Sequence, residues 1–183
     1  MSSDSGSGGV GIVGVDPQME PKITALFQKI IKGQYLSEKD PSGTLIGSDL
    51  AANYGLKLGD ELVILTQDIY NQTSAAKYKV RGIFSSGSED LDSFTLYLPL
   101  QTVKNLLGVD QAVSQIVVKF KNPQMAVKRL PLLIQKLNNP QLEFFTWKTL
   151  LKSIIQFVDL DNAQMYIFLL ILVFITIRRL KNH

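Results

Sequence analysis

The chain has 183 residues, 45% of them hydrophobic, no cysteine, and a single histidine, His183, at its last position. This suffices for one domain with a buried core plus an appendage. It excludes disulfides, thiolate metal sites and cysteine nucleophiles, and a histidine triad or zinc centre within the body. The formal net charge of +3 is matched by Arg178, Arg179 and Lys181, leaving a near-neutral body without the basic stripe and interleaved aromatics of a nucleic-acid interface.

Residues 1–9, MSSDSGSGG, read as a flexible lead-in, and residues 10–15 as a short strand. The glycines of GSGGVGIVG have no preceding strand and no following Gly-Lys-Ser/Thr, so a linker is the better reading than a phosphate loop. Pro21 suits a first helical turn. Ile23, Leu26, Phe27, Ile30 and Ile31 follow at helical spacing, predicting a helix stopped by Gly33. Residues 37–43 form a polar loop.

Residues 44–66, TLIGSDLAANYGLKLGDELVILT, hold the densest signal. An apolar entry is followed by a turn at Gly47 and a short helix capped by Ser48 or Asp49. Gly55 stops that helix in the left-handed conformation, with Leu56 folding back on Leu50 or Ala51. Gly59 and Asp60 make a second turn, and residues 62–65 read as a strand buried on both faces or nearly so.

Residues 67–76 read as a polar connection to a partner strand carrying Tyr78, Val80, Ile83 and Phe84. Asn71 begins a glycosylation sequon that chance accounts for. Glu89, Asp90 and Asp92 fall in a stretch, 85–93, whose order does not match a calcium loop and which reads as a solvated loop. A strand at 94–98 precedes a helix opened by Pro99, with Leu100, Val103 and Leu107 inward and Gly108 at its end. Residues 116–120 read as a strand. Asn122 caps and Pro123 opens a helix with Ala126, Leu130, Leu133, Ile134 and Leu137 on one face, kinked or restarted at Pro131. Residues 142–145 read as the last strand.

From Thr146 the pattern changes. Thr146 caps a helix whose apolar stripe is Trp147, Leu150, Leu151, Ile154, Ile155 and Val158, with Lys148, Lys152, Ser153 and Gln156 opposite. Residues 165–177, MYIFLLILVFITI, carry no charge. At about 1.5 Å per residue they cover about 20 Å, less than the ~30 Å hydrocarbon core. They are nonetheless apolar on every side, with Asp159 and Asp161 before them and Arg178, Arg179 and Lys181 after. This fits a partial membrane span with a cytoplasmic C-terminus.

No serine or threonine has a histidine base available, the paired acids fall at turns, and no Walker A sequence is present. The sequence argues against an enzyme and offers no catalytic, cofactor-binding or metal-ligating residue.

The segment LIGSDLAANYGLKLGDELVIL resembles the external domain of bacterial ABC-transporter permeases of the FtsX/MacB type. So do VRGIFSSGSEDLDSFTLYLPLQTVKNLLG, FFTWKTLLKSIIQ and FVDLDNAQMYIFLLILVFIT. GVDPQMEPKI and GQYL resemble the lipoprotein-releasing (LolC/LolE-like) branch. The resemblance implies an α+β fold of small mixed sheets with packed helices in two subdomains, followed by a long C-terminal helix entering the membrane. It divides the chain into the lead-in 1–9, an extracytoplasmic core 10–146, a connecting amphipathic helix 147–162, a partial transmembrane helix 163–177 and a basic cytoplasmic tail 178–183.

The implied role is non-enzymatic: transmission of ATP-driven motion to substrate outside the membrane, with lipoprotein release as one form. No cofactor is implied. The implied partners are a cytoplasmic ABC ATPase, a second permease copy or paralogue, the membrane and a periplasmic carrier protein, with no nucleic acid. The implied place is the bacterial inner membrane with residues 1–158 facing outward, and Trp147, Leu150, Leu151, Ile154, Ile155 and Val158 form the coupling helix at the membrane entry. By this likeness the chain is a fragment, and its 67–76 connection is shorter than the hook that lipoprotein-releasing members can carry there. The competing reading is a free-standing soluble binding module with residues 165–177 as a core helix.

Overall fold

In the computed structural model, residues 2–3 and 6–152 are described. They fall into two units, Met1–Val118 and a second that begins at Lys119. Alternating apolar residues in the first unit build one mixed sheet from β1 (Ser2–Ser3), β2 (Gly6–Ser7), β3 (Gly11–Val15), β4 (Ile30–Gly33), β5 (Gly43–Gly47), β6 (Glu61–Gln67), β7 (Thr73–Phe84) and β8 (Thr95–Pro99). The strand order is β2-β1-β6-β7-β5-β8-β3, with β4 also paired to β7. Four short helices accompany it: α1 (Glu20–Ile23), α2 (Ser48–Asn53), α3 (Glu89–Phe94) and α4 (Leu100–Leu107). The α+β class expected from the sequence is what the chain adopts.

The twelve-residue strand β7 joins the sheet together. Its first half pairs antiparallel with β6, from Gln67 opposite Thr73 to Glu61 opposite Lys79. Its second half lies between β5, which runs parallel to it, and β4, which runs antiparallel. A bulge separates the halves: Thr44 faces Val80 but Leu45 faces Gly82, so Arg81 is the extra residue. Arg81 turns its guanidinium to the Asp40 carboxylate, 2.5 Å from Nε, and its carbonyl accepts from the Gln34 amide at 2.9 Å.

Central strands bury both faces. Ile46, Ile83, Leu96 and Leu98 pack with Leu50 and Ala51 of α2, Leu106 of α4, and Leu62, Ile64 and Val80 of the hairpin. On the opposite face Leu45 and Phe84 pack with Leu36, Leu26 and Tyr35, and the rings of Phe84 and Tyr97 meet edge to face at 5.2 Å.

Around residues 44–60 the expected turns are present. Gly55 is left-handed at φ 62°, and Leu56 N–H bonds to Ala51 O at 2.8 Å across the helix end. Gly59 has φ 90°, and Asp60 accepts the Lys57 amide at 2.8 Å. The cap differs, because the N-cap position belongs to Gly47 and neither Ser48 nor Asp49 caps. Ser48 instead lies 3.4 Å from the Asp49 carboxylate.

Other expectations are corrected. The helix over 21–31 ends at Ile23, because Thr24 is extended. A 3-10 turn (Leu26–Lys29) follows, and Ile30 and Ile31 are drawn into β4 beside β7. Tertiary pairing overrides the helical spacing there. Half of the 67–76 connection is ladder, with 68–72 as the hairpin turn. Strand 62–65 buries one face only: Leu62 and Ile64 are inside while Leu65 is exposed. In α4 the buried residues are Thr102 and Leu106, with Val103 beside them, a small rotation from the expected stripe. Residues 116–118 and 142–145 form no strand, and Ile116 is 78% exposed.

The largest correction concerns 85–93. Residues 89–94 form α3, and Asp92 is buried at 3% exposure. Its carboxylate accepts from the Ser86 amide at 2.8 and 3.1 Å and from the Ser85 hydroxyl at 3.0 Å. Burial alone would raise the Asp92 pKa, but the bonds from Ser86, Ser85 and the Gly87 amide outweigh it and hold the carboxyl below its usual range. The Asp92 backbone also closes on Gly47, where a Cβ would stand 2.1 Å from the Asp92 carbonyl oxygen.

In the second unit, α5 (Pro123–Leu137) starts with the Asn122 side chain accepting the Gln124 amide, as expected, and continues as one helix through Pro131. The short α6 (Trp147–Leu150) starts at Thr146.

Two outcomes follow from the Gly47–Asp92 closure. Gly47→Ala forces backbone apart and should cost about 2–3 kcal/mol in urea unfolding of the chain, the range for overpacking a tight site; an unchanged midpoint would refute the close approach. Because the folded pKa of Asp92 is depressed, its stabilisation is complete above the unfolded value of about 4 and is lost as pH falls through the folded value. Asp92→Ala should therefore lower stability by about 1–3 kcal/mol at neutral pH and flatten the wild-type loss of stability below about pH 4, read from unfolding midpoints along a pH series.

Candidate functional site

Sequence reasoning places function on the helix after Thr146, and the described part of it is short. The Thr146 side chain accepts the Thr149 amide at 3.3 Å, which supplies the first-turn partner an exposed helix start needs. Trp147 Nε1 donates to the Pro123 carbonyl at 3.1 Å, tying α6 to the first residue of α5. Lys148 Nζ stands 5.6 Å from the Trp147 ring centre, within cation–π range. Leu150 and Leu151 are 68% and 43% exposed. Trp147 and Leu150 lie at the two ends of α6 and Leu151 at its C-cap, while Ile154, Ile155, Val158 and residues 163–177 lie outside the described residues. Among the described residues no helix is long and apolar enough to cross a membrane.

Polar clusters in the first unit have structural work. Glu20 is buried and receives the hydroxyls of Thr24 and Tyr35. Burial, followed by the bond to Glu20, raises the Tyr35 pKa beyond any physiological range. Asp40 is pushed up by burial but held below its usual range by bonds from Arg81 and Ser42. The Ser85 hydroxyl donates to the buried Asp92 carboxylate and so fastens the loop before α3.

Two grooves lie in the first unit. One of about 280 Å3 lies beside α2 between Ile31, Lys32, Ala51, Leu56 and Lys57. The other, about 260 Å3, is lined by Tyr35, Ser37, Asp40 and Arg81. In the second, Arg81 and Asp40 are bonded to each other.

The hairpin turn is a surface feature that sequence reasoning took for a plain connection. Asp68 Oδ1 accepts the amides of Tyr70 and Gln72, both at 2.8 Å, and Asn71 takes φ 59°. That tight turn holds Ile69 and Tyr70 outward, at 58% and 69% exposure. The signal was available: an Asx-turn aspartate and an asparagine able to enter the left-handed region lie between two alternating runs.

The model of the MacB-like periplasmic core domain matches residues 1–129. The lipoprotein-releasing system transmembrane protein LolC of Neisseria meningitidis serogroup B is 22% identical over 173 residues, covering 90% of this chain and 41% of that protein. The chain thus spans about two fifths of this relative's length. With the family model covering most of the sequence, the chain belongs to the MacB-like periplasmic core domain family, the non-enzymatic periplasmic part of inner-membrane ABC-transporter permeases.

Proposed function

We propose that this chain is the external part of a permease that converts the ATP-driven motion of a separate cytoplasmic ATPase into extrusion or release of substrate. The observation that carries this reading is the family match over residues 1–129 followed by a capped helix start with an outward apolar pair, Leu150 and Leu151. In this reading the core has two subdomains. Trp147, Leu150, Leu151, Ile154, Ile155 and Val158 are the lever that carries motion to it, within a connecting helix 147–162 that continues into a partial membrane span at 163–177. Residues 1–158 face the periplasm and 178–183 the cytoplasm.

The partners are the ATPase, a second permease copy or paralogue, and the bilayer. Lipoprotein is the proposed cargo, supported by the likeness to LolC. A periplasmic carrier protein would then receive it, and Ile69 and Tyr70 on the hairpin turn offer the outward apolar contact such a hand-over needs.

Protease added to spheroplasts should cut the chain before Asp159 without lysis; protection of those sites until lysis would end the reading. In membranes containing the ATPase and a second permease, Leu150→Gly with Leu151→Gly should leave ATP hydrolysis running while transport per ATP falls, since two glycines soften a helix by about 2 kcal/mol. Unchanged transport per ATP would remove the lever from the mechanism.

A further inference from the structure

The second unit carries a charge imbalance that neither its fold nor its family accounts for. Between Lys119 and Lys152 the sequence has seven lysines and arginines and one acid, Glu143. The ion pairs among the described residues, Lys77–Glu61 and Arg81–Asp40, both lie in the first unit. On α5, Arg129 and Lys136 stand four residues before and three after Leu133, so all three share one helical face. Leu133 and Leu137 on that face are 37% and 51% exposed, and Leu132 at its flank is 47% exposed.

Exposed leucines interleaved with cations on a helix oppose a second copy of the same face, because matching charges would meet. They suit a surface that is negative at its outside and apolar just beneath, where long basic stems lie along hydrocarbon and their heads reach phosphate. Phe145, 58% exposed, and Trp147 under Lys148 add the aromatic–cation composition favoured at a bilayer interface.

We infer that the face of α5 built from Arg129, Leu132, Leu133, Lys136 and Leu137 docks on the anionic headgroups of the bilayer. The inference goes beyond the coupling reading, which does not require α5 to touch lipid. Charge complementarity selects lipid phosphate, and the leucines select a bilayer over a soluble anion.

The test uses the full chain, whose lack of cysteine lets Leu133→Cys carry a single environment-sensitive fluorophore. The protein is placed in nanodiscs of phosphatidylcholine alone, or of about three parts phosphatidylcholine to one part phosphatidylglycerol, each with a headgroup-level spin-labelled quencher. Quenching at position 133 should be at least about threefold greater in the anionic discs. A probe on Ser42→Cys should not distinguish the two. The excess should vanish in R129E/K136E and, for the chain with both cations kept, in about 0.5 M NaCl, where the screening length falls to ~4 Å. The salt arm decides the matter if the double variant fails to fold.

Equal quenching in both discs, or an excess that survives charge reversal and salt, overturns the proposal. So does a probe change that grows with protein concentration without lipid, or one produced by polyglutamate and not by phosphatidylglycerol; these would assign the face to a second copy or to an acidic polypeptide. Failure of the external topology would appear separately, as protease protection in spheroplasts.

Discussion

The first unit depends on a single strand serving three neighbours. β7 gives its leading half to β6 and its trailing half to β5 and β4, and the two halves are offset by one residue at Arg81. A bulge bends a strand and strengthens its twist, so the hairpin and the two-faced core can share one backbone without sharing one plane. The bulge has its own fastening. Arg81 leaves the ladder to meet Asp40 on the loop before β5, and its carbonyl takes the Gln34 amide. The next residue must be small, since a Cβ on Gly82 would stand 2.5 Å from the Gln34 carbonyl oxygen and 2.7 Å from Leu45. The bulge thereby couples the loop 34–43 to the centre of the sheet.

How much of this was legible depended on whether the signal was local. Gly55, Gly59, Asp60 and Gly108 act within a few residues of themselves, and their turns appear where the sequence places them. The stripe from Ile23 to Ile31 misled because β-branched residues at helical spacing also fit a strand, and β7 offered Ile30 a partner more than fifty residues away. Asp92 misled for the converse reason. Three acids near a Gly-Ser stretch look solvated, and only the folded chain shows that one of them collects the Ser86 amide and Ser85 hydroxyl against Gly47. Of the candidate site, the cap at Thr146 was legible as local pattern. The bond from Trp147 to the Pro123 carbonyl was not, since no spacing rule links positions 24 residues apart.

The described fold invests its ionisable groups in geometry. Glu20, Asp40 and Asp92 each hold a loop to a strand or helix through short-range bonds. A domain that relays displacement benefits from such fastenings, because loops that yield under load would dissipate motion before it reached a substrate. The hairpin turn and α5 are among the places where apolar side chains are left outward.

The parallel pairing of β3 with β8 bears on how the chain acquires its shape. Gln67 meets Thr73 across a handful of residues, whereas Gly11 meets Thr95 across about eighty. Closing the longer loop costs roughly 2 kcal/mol more in chain entropy. The β6–β7 hairpin is therefore expected to form before β3 pairs with β8. At one end of the strand order and held by β8 alone among the described residues, β3 is expected to open to solvent more readily than β5 or β7, which lie between neighbours.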